Sequence, residues 1–466
     1  MDIGRFPLLV IRSALSRTVW NANYFGHMNF WHIALESNGI TKQPNIGGTF
    51  RPYQIRYLFF YKLKHKKMKI QKTTAAILAI GALSGAAHAQ SSVTLYGIAD
   101  GGILFNNNVK GAKLYALSSA NSSRWGLQGA EDLGGGLKAI FTIENGYTLG
   151  TGALSQGGLE FGRKAFVGLK SDTYGTVTLG RQYSASNDAT ATFASGADWA
   201  ASGLGYGTRA GDVDNVDTSN RIQNAIKYTS PNYRGLTVGV LYSLGGQAGQ
   251  FSRNAVTDAA VSYANGPLKL GASYNFTKDP YYSTFGNQGN SSSPTSSATG
   301  ANNNMASRIY GGYASAGSQQ IITAGGSYLV GPATIALLYS NTQFQNLGQV
   351  NAIGSYGTKY NGGTATFNSG ELNVKYALTP ALTLAGAYIY THNSGADGAG
   401  SAKYNQFNLG TIYSLSKRTS FYAIGFFETA SGVDSTGKTA VADFSGSSYS
   451  SNNHQLAAII GMTHKF

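Results

Sequence analysis

Apolar and polar residues alternate with a period of two in short runs along the chain, most plainly in its last fourteen residues. Leu456, Ala458, Ile460, Met462 and Phe466 share one parity, while Asn453, Gln455, Thr463 and Lys465 share the other. Successive side chains of a strand point to opposite faces, so the pattern predicts a strand with one apolar and one wet face. His454 and His464 interrupt the apolar set, and Ala457 and Ile459 the polar one. An edge strand of a soluble sheet has the same parity, so the rest of the chain must decide.

Sixteen segments carry strand-like composition: 92–105, 121–131, 137–149, 160–170, 175–184, 220–230, 236–245, 255–264, 268–277, 319–330, 333–344, 370–379, 381–391, 404–415, 419–429 and 453–466. Several alternate clearly. Leu372, Val374 and Tyr376 oppose Glu371, Asn373 and Lys375, and Leu382, Leu384, Tyr388 and Tyr390 align on one face. Tight turns such as Asn265-Gly-Pro267 and Val330-Gly-Pro332 take turns with long polar loops near 106–120, 185–219, 278–318, 345–369, 392–403 and 430–452. Lipid supplies no partner for an open sheet edge, so spanning strands must close on themselves. An even strand number with short turns at one end and long loops at the other predicts an all-β, 16-stranded antiparallel transmembrane β-barrel. A soluble β-sandwich would need polar outer faces, which neither parity set supplies over the whole chain, and a β-helix would show a fixed repeat.

The one helical, membrane-like stretch lies elsewhere. Lys69 and Lys72 precede a short apolar run, 73–86, that ends in Ala87-His88-Ala89. A basic start, a short apolar core and an Ala-x-Ala box predict a secretory signal peptide over 68–89, with the mature chain starting at Gln90. Residues 1–67 show neither period and read as a non-native upstream extension, with initiation at Met68; a cytoplasmic extension or basic arm is the alternative. The leader also changes the charge balance. Residues 1–89 hold 12 of the 35 basic and 2 of the 20 acidic residues, which reduces the net charge from +15 to +5 in the remainder. Composition therefore gives no reason to expect a nucleic-acid partner. With no cysteine, stability must come from the sheet.

Parity then sorts the cations. Arg124 and Gln128 fall opposite Trp125 and Leu127, and Arg221, Gln223 and Lys227 fall opposite Ile222, Ile226 and Tyr228, so both sets are expected in the lumen. Arg163 and Lys164 are less clearly sorted. Arg181 travels with Val177 and Leu179 and is expected on the outer wall, where a neighbouring subunit would supply a carboxylate such as Glu160; a headgroup contact is the simpler alternative. Loop 185–219 carries Asp188, Asp198, Asp212, Asp214 and Asp217. Folded into the lumen, these acids would face Arg124, Arg163 and Arg221 across a waist, and opposed charges select small polar solutes. As an acidic surface loop they would do nothing of the kind.

Several segments resemble the general porins of Gram-negative bacteria, the trimeric neisserial and β-proteobacterial type. They are Ser92-Val-Thr-Leu-Tyr-Gly-Ile-Ala-Asp-Gly101, Ser123-Arg-Trp-Gly-Leu-Gln-Gly129, 131–139, Phe161-Gly-Arg-Lys-Ala-Phe-Val-Gly-Leu169, Tyr174-Gly-Thr-Val-Thr-Leu-Gly-Arg-Gln182 and the terminal Phe466. The resemblance spans residues 68–466. It implies a homotrimer in outer-membrane lipid, a third loop folded inward, and passive diffusion of small hydrophilic solutes and ions. It also implies pore-wall roles for Arg124, Arg163 and Arg221 and recognition of Phe466 by the β-barrel assembly machinery. A solute-selective porin and a non-conducting structural or adhesive barrel are the alternatives. No cofactor, metal or catalytic motif is expected: Walker, HExxH and Gly-x-Ser-x-Gly sequences are missing, and His454 and His464 lack acid or nucleophile partners in the sequence.

Overall fold

The computed structural model describes residues 92–201, 203–246, 248–285, 305, 307–350, 359–396 and 398–466. The expected leader and the 1–67 extension lie outside the described residues. Seventeen strands occur among the described residues. The first eight are β1 (Ser92–Val109), β2 (Ala112–Ser118), β3 (Arg124–Gly134), β4 (Leu137–Gly146), β5 (Lys164–Ser171), β6 (Gly175–Gln182), β7 (Ile222–Thr229) and β8 (Leu236–Ser243). The others are β9 (Val256–Asn265), β10 (Leu268–Lys278), β11 (Ser318–Val330), β12 (Ala333–Gln345), β13 (Thr364–Ala377), β14 (Leu382–Asn393), β15 (Ala402–Ser414), β16 (Thr419–Gly432) and β17 (His454–Lys465).

All neighbours pair antiparallel, and β1 closes on β17 from Ile98 opposite Lys465 to Asn106 opposite Ala457. The other edge of β1 pairs with β3 over its first half and with β2 over its second. Strands β2 and β3 are thus one stave broken at 119–123, and the structure is a closed 16-stranded antiparallel barrel. The break has a local cause. Asp100 Oδ1 accepts from Ala120 N at 2.6 Å and from Tyr422 Oη at 2.9 Å, and its Oδ2 accepts from Asn121 Nδ2 at 2.9 Å.

Two expectations about loops are corrected. Residues 106–120 are no long loop: β1 runs on to Val109 and turns at Lys110 (φ 52°) and Gly111 (φ 95°) into β2. Two successive positive φ values make the twist-matched two-residue hairpin that glycine favours. Conversely, 147–163 and 244–255 are long connections that the strand assignments 137–149, 160–170 and 236–245 partly absorb. At the opposite end the turns stay short, from 135–136 to 415–418.

The outer parity is exposed and apolar, including Val93, Leu95, Leu337 and Leu409, with Ile103 and Ile460 each 67 % exposed, as a lipid belt requires. The inner parity is not uniformly wet. Tyr422, Ile424, Phe426, Ala457 and Ile459 pack inside the barrel against Trp199 and Tyr206 of the third loop and Phe444 of the eighth. Higher up, Tyr281, Phe285, Ile309, Tyr310 and Tyr313 of the fifth loop cluster with Phe344, Phe367 and Tyr404 of the wall. Full burial of each such side chain contributes roughly 1.5–3 kcal/mol. Ala457 and Ile459, which break the polar parity of the last strand, are therefore seats for an internal loop.

Candidate functional site

The third loop, residues 183–221, leaves β6 and re-enters β7 by way of the lumen. It opens with the short helix Ala185–Thr190, whose N-cap Ser184 accepts from Asn187 N at 3.1 Å. Asp258 on β9 accepts from Ser186 N at 2.9 Å. Further along, Trp199 Nε1 donates to Asn373 Oδ1 on β13 at 2.9 Å, while Gln406 and Asn408 on β15 donate to the carbonyls of Tyr206 and Gly207, each at 2.8 Å. The polar face read in 370–379 is thus where the loop docks. At its far point Gly203 N donates to Ala120 O at 2.9 Å, inside the break of the second stave. A Cβ on Gly203 would lie 2.1 Å from Ser122 N, so only glycine fits there.

Opposite this loop the wall gathers cations around one phenol and one carboxylate. Tyr183 Oη accepts from Arg163 Nη2 at 2.8 Å and from Arg221 Nη2 at 3.0 Å, and its ring faces the Arg221 guanidinium at 5.0 Å and Lys164 Nζ at 5.5 Å. Arg163 Nε also binds Glu144 Oε1 at 2.6 Å, and Tyr96 Oη donates to Glu144 Oε2 at 2.8 Å. Arg124 joins the group with its Nη1 donating to the carbonyls of Asn121 (3.1 Å) and Ser122 (3.3 Å). A cavity of about 300 Å³ adjoins these groups, bounded by Arg163, Arg221, Ser122 and Gln156 on one side and by Gly203–Gly205 and Thr218–Asn220 of the loop on the other.

The acids of the loop are placed differently from the expected row. Asp188 binds Lys227 Nζ at 2.8 Å, and Asp198 pairs with Lys375 on β13. Asp214 binds Arg209 Nη1 at 2.9 Å, and Arg209 Nη2 reaches Glu371 Oε2 at 3.1 Å, all three side chains being fully buried. Asp212 turns onto its own loop and accepts from the N–H groups of Asp217 and Ser219, each at 3.0 Å. Burial, reinforced by Asp214, pushes the Asp212 carboxyl up to about 7 against the pull of those N–H groups. Asp198, Asp212 and Asp214 therefore hold the loop together or to its wall. Arg209, the one basic residue in 185–219, is the signal in the sequence for the pairing of Asp214 within the loop.

Two parity assignments also shift. A bulge at Asn224 (φ 49°) brings Ile222 inward with Ala225, so Gln223 does not share the face of Lys227. Arg181 is half-buried and its Nε donates to Gly162 O at 2.8 Å, so the guanidinium does not stand bare in lipid; Glu160 is exposed. Glu144, Tyr183, Lys164 and Glu371 are the groups that sequence reading did not assign to the site. Phe466 pairs with Gly97 in both directions, at 3.0 and 3.1 Å, and its ring covers that glycine.

A family model described as Gram-negative porin matches residues 73–428. The chain belongs to that family. This porin is 32 % identical to an outer membrane porin protein of Bordetella pertussis, over 77 % of this chain and 94 % of the relative. It is 29 % identical to outer membrane porin protein 32 of Delftia acidovorans, over 85 % of this chain and all of the relative. Among solved structures, an anion-selective porin from Comamonas acidovorans superposes with a TM-score of 0.57 at 24 % identity, covering 81 % of this chain and 100 % of the other. The trimer form of OmpT from Vibrio cholerae gives 0.53 at 17 % identity, covering 81 % and 99 %. The protein is an outer-membrane porin of a Gram-negative bacterium, a channel for passive diffusion of small hydrophilic solutes and ions.

Proposed function

We propose that Arg124, Arg163 and Arg221 line the constriction of this porin and give it a preference for small anions. One observation carries the reading: the loop acids that could offset these arginines are bound to Arg209, Lys227, Lys375 or backbone N–H groups, while the wall cluster has Glu144 as its carboxylate. Lys227, tied to Asp188, and the acids Asp198, Asp212 and Asp214 act in this reading by fixing the loop that narrows the lumen. Fixed positive charge beside a narrow path lowers the barrier for anions and raises it for cations. The anion-selective porin of Comamonas acidovorans, which shares this fold, lends the reading further support.

The test is the reversal potential in a planar bilayer under a salt gradient. The intact channel should reverse on the anion side, and Arg163→Gln or Arg221→Gln should each move the permeability ratio severalfold towards cations. Reversal potentials unchanged in both variants and in Arg124→Gln would remove the cluster from the ion path.

The functional unit is a homotrimer in this reading, supported by the trimer form of the Vibrio cholerae neighbour, with Arg181 and the second loop near the contact. Native mass measurement in detergent checks it. Export with cleavage before Gln90 and recognition of Phe466 by the assembly machinery complete the proposal, supported by the Ala-x-Ala box and the terminal aromatic. Material from outer membranes should begin Gln-Ser-Ser-Val.

A further inference from the structure

Tyr183 stands where the third loop leaves β6, and its backbone is held from both sides. Its carbonyl accepts from Lys227 Nζ on β7 at 3.0 Å, and the next residue, Ser184, caps the helix Ala185–Thr190. The half-buried side chain is thereby kept among the arginines at the point where the loop turns into the lumen.

A phenol has one hydrogen to donate and two lone pairs that accept. Arg163 Nη2 and Arg221 Nη2 donate to the Tyr183 oxygen at 2.8 and 3.0 Å, so two guanidinium groups converge on the accepting side of one oxygen. Hydrogen bonds from cations strengthen when the acceptor becomes an anion, and so favour its ionised form. Charged groups reach this phenol from every neighbouring element: Arg124 on β3, Glu144 on β4, Arg163 and Lys164 where β5 begins, Arg181 on β6, and Arg221 and Lys227 where β7 begins and along it. Of the nearby carboxylates, Glu144 binds Arg163 and Tyr96, and Asp188 binds Lys227. Burial alone would push the Tyr183 hydroxyl up, but the Arg221 and Arg163 charges outweigh it and bring it down to about 8. A guanidinium keeps its charge throughout that range.

We propose that Tyr183 is a specificity-determining residue of the pore, whose phenolate form cancels one positive charge of the arginine cluster and so weakens the preference for anions in mildly alkaline surroundings. The proton passes to water and returns from it, with no covalent change in the protein. As a neutral phenol Tyr183 only orients Arg163 and Arg221, and both charges act on the ion path. As a phenolate it adds a fixed negative charge between them, which lowers the barrier for cations. The proposal rests on the placing of the arginine cluster at the constriction.

The test is the reversal potential of the full-length porin in a planar bilayer, read from about pH 6.5 to about pH 9.5 under a constant salt gradient. The ratio of anion to cation permeability should fall severalfold, with a midpoint at about 8. Tyr183→Phe keeps the ring beside Arg221 and Lys164 but cannot ionise, and its profile should be flat through that midpoint. Replacement of Tyr183 by 3,5-difluorotyrosine keeps the hydroxyl and makes it a stronger acid, so the midpoint should move to lower pH; this variant carries the test if Tyr183→Phe does not give the heat-shifted band of a folded barrel. An equal fall in Tyr183→Phe, or an unmoved midpoint with difluorotyrosine, would overturn the proposal. A flat profile in the intact channel, with arginine variants that still shift the reversal potential, would overturn it alone and leave the selectivity reading standing. A channel without anion preference at the acid end that shifts towards cations only when Tyr183 is present would do the reverse.

Discussion

Glu144 decides how much of the arginine charge reaches the lumen. It is 3 % exposed and binds Arg163 at 2.6 Å, with Lys164 4.0 Å away. Glu144→Gln removes the carboxylate that offsets the cluster, so anion preference should rise severalfold in bilayer recordings, opposite in sign to the arginine variants. Gly97 makes a different demand. A Cβ there would lie 2.3 Å from the Phe466 ring and 2.7 Å from Arg124 O, so Gly97→Val must displace both the terminal aromatic and a ladder carbonyl. The expected result is loss of most folded barrel, read as the heat-shifted band on a gel, with a smaller deficit for Gly97→Ala. Overpacking of this kind typically costs about 1–3 kcal/mol. Gly97 and Phe466 lie 369 positions apart in the sequence, and each was visible as a residue; their contact was not.

At the scale of an element, the third loop behaves as a folded plug with its own buried charges. Asp212 has a folded-state value of about 7 against an ordinary value of 3.8. The folded loop therefore holds a proton that the opened loop releases between those limits, and its stability falls as pH rises from about 4 to 7. Amide exchange in 205–220, corrected for intrinsic rates, should show protection at pH 8 lower by on the order of a hundredfold than at pH 5, with the slope flattened in Asp212→Asn. Trp199 is the apolar anchor of the same loop, 4 % exposed and set against Gly410. Trp199→Ala should cost the loop about 3–5 kcal/mol and appear as noisy, larger single-channel conductance with the barrel intact. The loop's length and acids were legible in the sequence. Its docking strands were not, because Glu371, Asn373, Gln406 and Asn408 read as lumenal polar residues whether or not a loop lies on them.

Over the whole molecule, the outer surface and the lumen follow different rules. Lipid accepts one kind of side chain, so every second residue of a spanning strand is constrained by the solvent itself. That is why the sixteen staves and the parity of β13, β14 and β17 could be read from local pattern, whereas the hairpin at 110–111 and the long connections 147–163 and 244–255 could not. The family resemblance, carried by 92–101, 123–129 and the 161–182 region, agrees with the match over residues 73–428. The lumen obeys no such local rule. Whether Ile459 faces water or Trp199, whether Asp214 faces Arg221 or Arg209, and whether 119–123 continues a strand or breaks to receive Gly203 depend on partners up to hundreds of residues away. Sequence by itself determined the barrel, its two-sided face and the set of charged groups available to the pore. Only the tertiary structure decided which of those charges neutralise one another, because ion pairing inside a closed sheet is set by the path of the loop that crosses it.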